Sequence, residues 1–305
     1  MATKKNKSLV ICKLPKAGLG NQLFSLLKGH IFAELNDLKI LVMGFNHFKI
    51  GPYLRAEKSK RAYSQYFIFQ KTDYPLFLKN FYLRLKKPNT IVNEPNLEAI
   101  GVRNGYHHYI FSEIPHWSDS FAKIKNHRSL ALNIFKKIIN PKILDELNKK
   151  QFPVIGVHIR MGDFKKVPDG QDFKKEGGLR TPEKYFIDVI ENIRRINGQI
   201  LPVSIFTDGY VHELPNLFKM DGVSITEGNR DIIDLLLLSK SQIIVTSAGS
   251  SFSLWAGFLS ESPIILHPDH IHEPVRISTS KSYYEGYLDE NSLLLTQQIK
   301  SISEN

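Results

Sequence analysis

The sequence predicts an α/β fold with a parallel sheet in each of two halves, and three observations carry that expectation. After residue 152, short apolar runs alternate regularly with helical stretches, the pattern of βα units whose sheet is covered on both faces. Residues 8 to 43 show the same alternation once, as a single βαβ unit. Between these regions, residues 45 to 150 lose the regularity, so a boundary falls near 150. The expected organisation is an N-terminal domain over 1–150 and a C-terminal domain over 151–305, two Rossmann-like halves facing a cleft.

Leu9 to Cys12 is a β-rich run, followed by the turn Gly18-Leu19-Gly20-Asn21. Leu23, Leu27, Ile31 and Leu35 then recur at four-residue spacing, which predicts an amphipathic helix, and Lys39 to Met43 is the next strand. The middle region is rich in aromatics (Tyr63, Tyr66, Phe67, Phe69, Tyr74, Phe77, Phe81, Tyr82) and in bases such as Arg55, Lys58, Lys60 and Arg61. Helices are expected over 120–138 and over 141–150, the second opening at Pro141. In the second half, Val154–Ile159 is a strand. Thr181-Pro182 supplies a cap and a favoured first helical residue for a helix with Tyr185, Phe186, Val189, Ile190, Ile193 and Ile196 on one face. Val203–Phe206, Gln242–Val245 and Pro263–Leu266 are further strands, with helices over Asp231–Ser239 and Phe252–Leu259 between them.

The chain has 305 residues, enough for two α/β domains with full cores. Its formal charge of +11 favours anionic partners: nucleotide phosphates, nucleic acid or an anionic membrane surface. The apolar run Leu9 to Cys12 is too short for the hydrophobic region of a signal peptide, and Asp234 interrupts the run from Ile232 to Leu238. A single cysteine, Cys12, excludes an intramolecular disulfide and a cysteine metal cluster, and a small buried core residue is its expected role. The expected location is cytoplasmic, with peripheral association at the cytoplasmic membrane face compatible with the charge.

Chemistry concentrates where strands of the second half end, the edge at which open α/β sheets bind ligands. Gly156-Val157-His158-Ile159-Arg160-Met161-Gly162-Asp163 leaves the first strand, and an Arg there suits bidentate recognition of a phosphate or carboxylate. A structural ion pair is the bland alternative for Arg160. Thr207-Asp208 ends the second strand, where a carboxylate suits ribose hydroxyls or a base edge. Ser247-Ala248-Gly249-Ser250-Ser251 opens directly into a helix, whose N-terminus favours a phosphate; simple N-capping is the alternative for the serines. Gly18-Leu19-Gly20-Asn21-Gln22 matches neither a P-loop nor a dinucleotide fingerprint. No Asp-x-Asp pair is present to hold a metal on a diphosphate, so its charge would fall to Arg160 and the helix N-terminus. His107, His108 and His116, and the group His267, His270 and His272, invite a metal reading, yet none has a zinc spacing. The stretch 164–180, with Lys165-Lys166, Lys174-Lys175, Gly170, Gly177 and Gly178, suits a lid over an anion.

Gly18-Leu19-Gly20-Asn21-Gln22-Leu23-Phe24, His158-Ile159-Arg160-Met161-Gly162-Asp163, Phe206-Thr207-Asp208 and Ser250-Ser251-Phe252-Ser253-Leu254-Trp255-Ala256-Gly257 occur in one order. In that order and spacing the chain resembles the α-1,2-fucosyltransferases of glycosyltransferase family 11, from about residue 9 to about 266. Segment 45–150 matches only weakly. The resemblance implies a GT-B fold, an inverting transfer from GDP-fucose and no metal cofactor. It implies that Arg160 holds the β-phosphate, that His158 and Asp208 lie near the guanosine, that Ser250 and Ser251 cap the diphosphate, and that Phe252 belongs to the donor site. Gly20, Asn21 and Gln22 would face the cleft from the acceptor side, and the last helix would pack back on the N-terminal domain. Met161 stands where the family usually has a second Arg. For the base that takes the acceptor proton, Asp163 is the candidate.

The first functional reading is therefore transfer of fucose from GDP-fucose to the 2-hydroxyl of a galactose-containing glycan. Transfer of another sugar from a GDP donor is the alternative within the enzymes. Outside them stand a basic nucleic-acid-binding protein, which the aromatic and basic tract 53–87 allows, and a glycan-binding module without catalysis.

Overall fold

The computed structural model of the chain describes residues 8–45, 54, 63–68, 83, 87–101, 104–166, 178–269, 272–277 and 283–303. Most of the aromatic and basic tract, the glycines Gly170 and Gly177, the pair Lys174-Lys175 and His270 lie outside the described residues. Two compact units divide the chain, Met1–Lys49 with Arg61–Leu144 and Ile50–Lys60 with Asp145–Asn305.

The first unit holds a parallel sheet of β1 (Leu9–Lys13), β2 (Lys39–Met43), β3 (Thr90–Asn93) and β4 (His107–Phe111), in the order β2-β1-β4-β3. Helix α1 (Leu19–Leu35) lies on β1, β2 and β4 and also meets α2 (Arg128–Ile138). Because it is covered on both sides, α1 is buried almost all round and is not the amphipathic helix that the leucine spacing predicts. Gly29 is where it comes closest to the sheet: a Cβ there would stand 2.1 Å from Sγ of Cys12, which is fully buried. Lys28 is also buried on this helix, its Nζ 2.5 Å from Oε2 of Glu94 and 3.2 Å from the Glu113 carbonyl. The other oxygen of Glu94 accepts from the N–H groups of Ser112 and Glu113 at 2.6 and 2.7 Å. Such a fully partnered buried carboxylate fastens the ends of β3 and β4 to α1. Of the helices expected over 120–138 and 141–150, regular helix covers Arg128–Ile138 and, as α3, Pro141–Leu147.

The second unit contains six parallel strands in the order β10-β9-β8-β5-β6-β7. They are β5 (Ile155–Ile159), β6 (Val203–Thr207), β7 (Val223–Ile225), β8 (Ile243–Val245), β9 (Ile264–Ile265) and β10 (Glu285–Gly286). Its helices are α4 (Glu183–Asn197), α5 (Asp231–Ser239), α6 (Ser251–Leu259) and α7 (Leu293–Lys300). Ile155, Val157 and Ile159 on β5, Val203 and Ile205 on β6 and Phe186, Val189, Ile190 and Ile193 on α4 form one core. Each such side chain stabilises the fold by roughly 1.5–3 kcal/mol through burial. Leu295 and Ile299 of α7 join this same core, and Asn197 of α4 donates to the carbonyls of Ile299 and Ile302. The last helix thus packs on the core of its own unit.

Strand β5 is the first of this sheet in the chain. The chain proceeds from it to β6 and β7 on one side and to β8, β9 and β10 on the other. The order reverses between β5 and β8, and the topological switch point lies there. The chain leaves β5 at Arg160 and β8 at Thr246-Ser247, directly at that point.

Candidate active site

The ends of β5 and β8 are joined by a serine. The Arg160 N–H donates to Oγ of Ser247 at 2.8 Å, and that hydroxyl donates to the His158 carbonyl at 3.0 Å. Next to it, Oδ1 of Asp208 at the end of β6 accepts from the N–H groups of Met161 and Gly162 at 2.7 and 3.1 Å. These bonds fix the turn after β5 on both sides, so the Arg160 side chain leaves a rigid base. Its Nη1 pairs with Oδ2 of Asp208, its Nη2 with Oδ1 of Asp163, and its Cζ stands 5.5 Å from the centre of the Phe164 ring. The guanidinium is held in a planar fork between two carboxylates at the sheet edge.

Behind Arg160, the His158 ring stacks on Phe252 of α6 at 4.9 Å between centroids and 26° between planes. Burial pushes its pKa down to about 3; Asp208 opposes that shift and Arg160 adds to it. The imidazole is therefore neutral at physiological pH. Its Nδ1 is buried with no hydrogen-bond partner among the described residues, a state that costs about 1–3 kcal/mol.

The loop after β8 turns through Gly249 at φ 67° and enters α6 from Ser250, whose side chain makes no cap hydrogen bond. A different hydroxyl holds the loop: Oγ1 of Thr181 accepts from the Ala248 N–H at 3.0 Å. Pro182 takes the cap position of α4, one residue later than the sequence suggests, because Thr181 is engaged with this loop. The first turn of α6 brings backbone N–H groups without intrahelical acceptors to the same edge as Arg160.

His158, Arg160, Asp163, Asp208 and Phe252 are thus assembled by direct contacts, with Ser250 and Ser251 at the adjoining helix start. Gly20, Asn21 and Gln22 belong to the first unit, in the opening turn of α1, and the Gln22 amide donates to the carbonyls of Pro15 and Ala17 at 2.9 and 3.4 Å. Ser247 is expected from the sequence only as part of the loop that opens α6, and Thr181 only as a helix cap; the structure gives both a role in holding the site together. Met161 is buried in the core and lies over Gly209, where a Cβ would meet its Cγ at 2.6 Å. The position that carries a second Arg in the resembling family here faces inward and is apolar. The histidines stand in separate local contacts. His107 is bonded to the Asn104 carbonyl, His108 to the Tyr106 hydroxyl, His116 to Ser118, and His272 to the Glu273 carbonyl. Among the described residues no three His, Cys, Asp or Glu side chains stand together as metal ligands. No helix among the described residues is long and apolar enough to cross a membrane.

The model of glycosyl transferase family 11 matches residues 2–282. The chain belongs to glycosyl transferase family 11. No curated protein matches it in sequence. Among solved structures, this family 11 chain is similar to the fucosyltransferase NodZ from Bradyrhizobium at 14% identity and a TM-score of 0.54, over 87% of this chain and 97% of that one. It is similar to POFUT1 in complex with GDP at 14% identity and a TM-score of 0.52, over 87% of this chain and 99% of that one. A second POFUT1 structure, in complex with GDP-fucose, aligns at 14% identity with a TM-score of 0.50, over 87% and 98% of the two chains. At these identities the likeness is one of fold, and it agrees with the α/β class and parallel sheets expected from the sequence.

Proposed function

We propose that this family 11 protein transfers fucose from GDP-fucose to the 2-hydroxyl of a galactose-containing acceptor, with inversion and without a metal ion. One observation carries the donor side of this reading: Arg160, Asp208, His158 and the start of α6 converge at the topological switch point of the second sheet. Arg160 and the α6 N-terminus supply the positive field that a diphosphate needs. Buried His158, with a ring nitrogen lacking a partner, suits a hydrogen bond to the nucleoside. Membership of family 11 and the nucleotides named for the POFUT1 structures support a GDP-linked donor. The galactose acceptor and the 2-linkage rest on the motif resemblance.

In the proposed reaction the acceptor hydroxyl oxygen attacks the anomeric carbon from the face opposite GDP and gives up its proton to Asp163 or to solvent water. The carbon–phosphate oxygen bond breaks, and its electron pair leaves with the β-phosphate. Arg160 meets the charge that grows there, so its contribution is largest in the transition state. The Asp163 carboxylate orients the guanidinium through Nη2. A different GDP-sugar is the second reading, favoured by the apolar Met161. A screen of GDP-sugars against lactose and N-acetyllactosamine, run in chelator with product linkage read by NMR, tests the proposal. Fucose on the galactose 2-hydroxyl is the expected product. Transfer of another sugar, another linkage, or turnover restored only by manganese would overturn the corresponding part.

A further inference from the structure

The loops after β5 and β6 meet through one side chain that none of the contacts above includes. Arg180 lies just before α4, and its Nε donates to the carbonyls of Met161 and Phe164 at 3.2 and 2.9 Å. Its Nη1 donates to Oε1 of Glu213 at 2.8 Å, and the other oxygen of Glu213 accepts from the Tyr210 N–H at 3.0 Å. The backbone repeats the tie, with the Arg180 N–H on the Lys165 carbonyl at 2.8 Å and the Lys165 N–H on the Gly178 carbonyl at 2.9 Å. The next residue, Thr181, holds the Ala248 N–H.

We propose that Arg180 is a positioning residue: it locks the turn that carries Arg160 and the turn that carries Asp208 into one platform for a nucleoside diphosphate. The inference rests on the donor reading above and adds a residue to it. The two carbonyls and the carboxylate need donors in different directions from one rigid plane, which a guanidinium has. Lysine has a single nitrogen on a flexible stem and cannot bridge the two loops in this way. Each of the three acceptors belongs to a segment flanking Arg160 or Asp208, within five residues of one of them. Loosening any of them shifts the fork that receives the phosphate. A positioned group displaced by about 1 Å loses up to about a hundredfold in rate.

The test compares wild type with Arg180→Met, Arg180→Lys and Glu213→Gln. Amide hydrogen exchange is followed in the absence of ligand, GDP affinity by calorimetry, and kcat and KM with GDP-fucose. Faster exchange at 161–165 and 209–214 in ligand-free Arg180→Met is expected. GDP affinity and kcat should fall together, by up to about a hundredfold, with no recovery in Arg180→Lys. Glu213→Gln removes one charge with little change of shape, so it stays folded and shows a smaller change in the same direction. A folded Arg180→Met protein with a lowered Tm but wild-type exchange at these loops, GDP affinity and kcat would overturn the inference. Wild type failing to bind GDP would strike the donor reading instead, and the exchange data on ligand-free protein would still decide the role of Arg180.

Discussion

A Cβ on Gly162 would stand 2.3 Å from Oδ2 of Asp208, while the Gly162 N–H donates to Oδ1 of the same carboxylate at 3.1 Å. The glycine is required by this close approach of backbone to carboxylate, since its φ lies outside the left-handed region. Without a side chain at 162, Asp208 can sit flat on the turn and still reach Arg160. Gly162→Ala is expected to force Asp208 off the turn. It should cost about 1–3 kcal/mol of stability, as overpacking does, and lower GDP affinity in the molecules that remain folded. Thermal melts and calorimetry on one preparation check this. Unchanged affinity would mean that the Asp208 contact is not needed for the donor.

Asp163 separates two roles. If it orients Arg160, Asp163→Asn keeps a hydrogen-bonding oxygen, removes a competing negative charge and lowers turnover by less than about tenfold while GDP binds more tightly. A general base is worth about a hundred- to ten-thousandfold, so a loss of that size with unaltered GDP affinity would assign it the proton transfer. The ion pair with Nη2 of Arg160 favours the first outcome.

Strands β5, β6, β8 and β9 of the second sheet were legible because strands covered on both faces become mainly apolar runs, as Val154 to Val157 and Ile243 to Val245 show, whereas the short β7 and β10 were not. Strand β3 was not, since three of its four residues are exposed and no apolar run or clean alternation marks it. Strand β4 opens on His107-His108, a pair whose adjacency invites a metal reading, yet neighbouring strand residues point to opposite faces. In the site, residues directly beyond strand ends could be read from their position alone, as Arg160 and Asp208 were. Thr181, Arg180 and the Lys28–Glu94 pair could not. Their partners lie far along the chain (66 residues for Lys28 and Glu94), and nothing local in the sequence encodes such pairings.

Two buried groups give stability opposite dependences on pH. His158 has a folded pKa of about 3 against an ordinary 6.5, so below 6.5 the unfolded chain holds the extra proton. Its contribution is full above 6.5 and is lost as pH falls toward 3. Asp234 on α5 is pushed from 3.8 up to about 7, first by burial; the Asn229 amide opposes the shift, Asp231 adds to it and Lys150 opposes it. Between these values the folded protein holds the proton, so this contribution falls as pH rises. His158→Gln should therefore flatten or reverse the rise of stability with pH across that window, and Asp234→Asn should steepen it. Denaturant midpoints measured along the pH axis for the three proteins check both, and parallel profiles would sink the assignment.

Arg160 is expected to be the most sensitive position for turnover. Its guanidinium, oriented by Asp208 and Asp163, is the proposed partner of the donor's β-phosphate. Charge grows on that phosphate only as the bond to fucose breaks, so losing Arg160 should lower kcat and not merely raise KM. Removal of one such donor costs about a hundred- to a thousandfold in turnover, or roughly 3–4 kcal/mol. Arg160→Lys keeps the charge but loses the planar fork, and should recover only part of the loss. Arg160→Ala also leaves Asp208 without its cation, next to the backbone it anchors, so some stability is lost as well. Turnover per folded molecule and melting temperature on the same sample separate the two effects. An Arg160→Ala protein that melts earlier yet turns over at the wild-type rate would make the Asp208–Arg160–Asp163 cluster a structural ion pair and end the proposed mechanism.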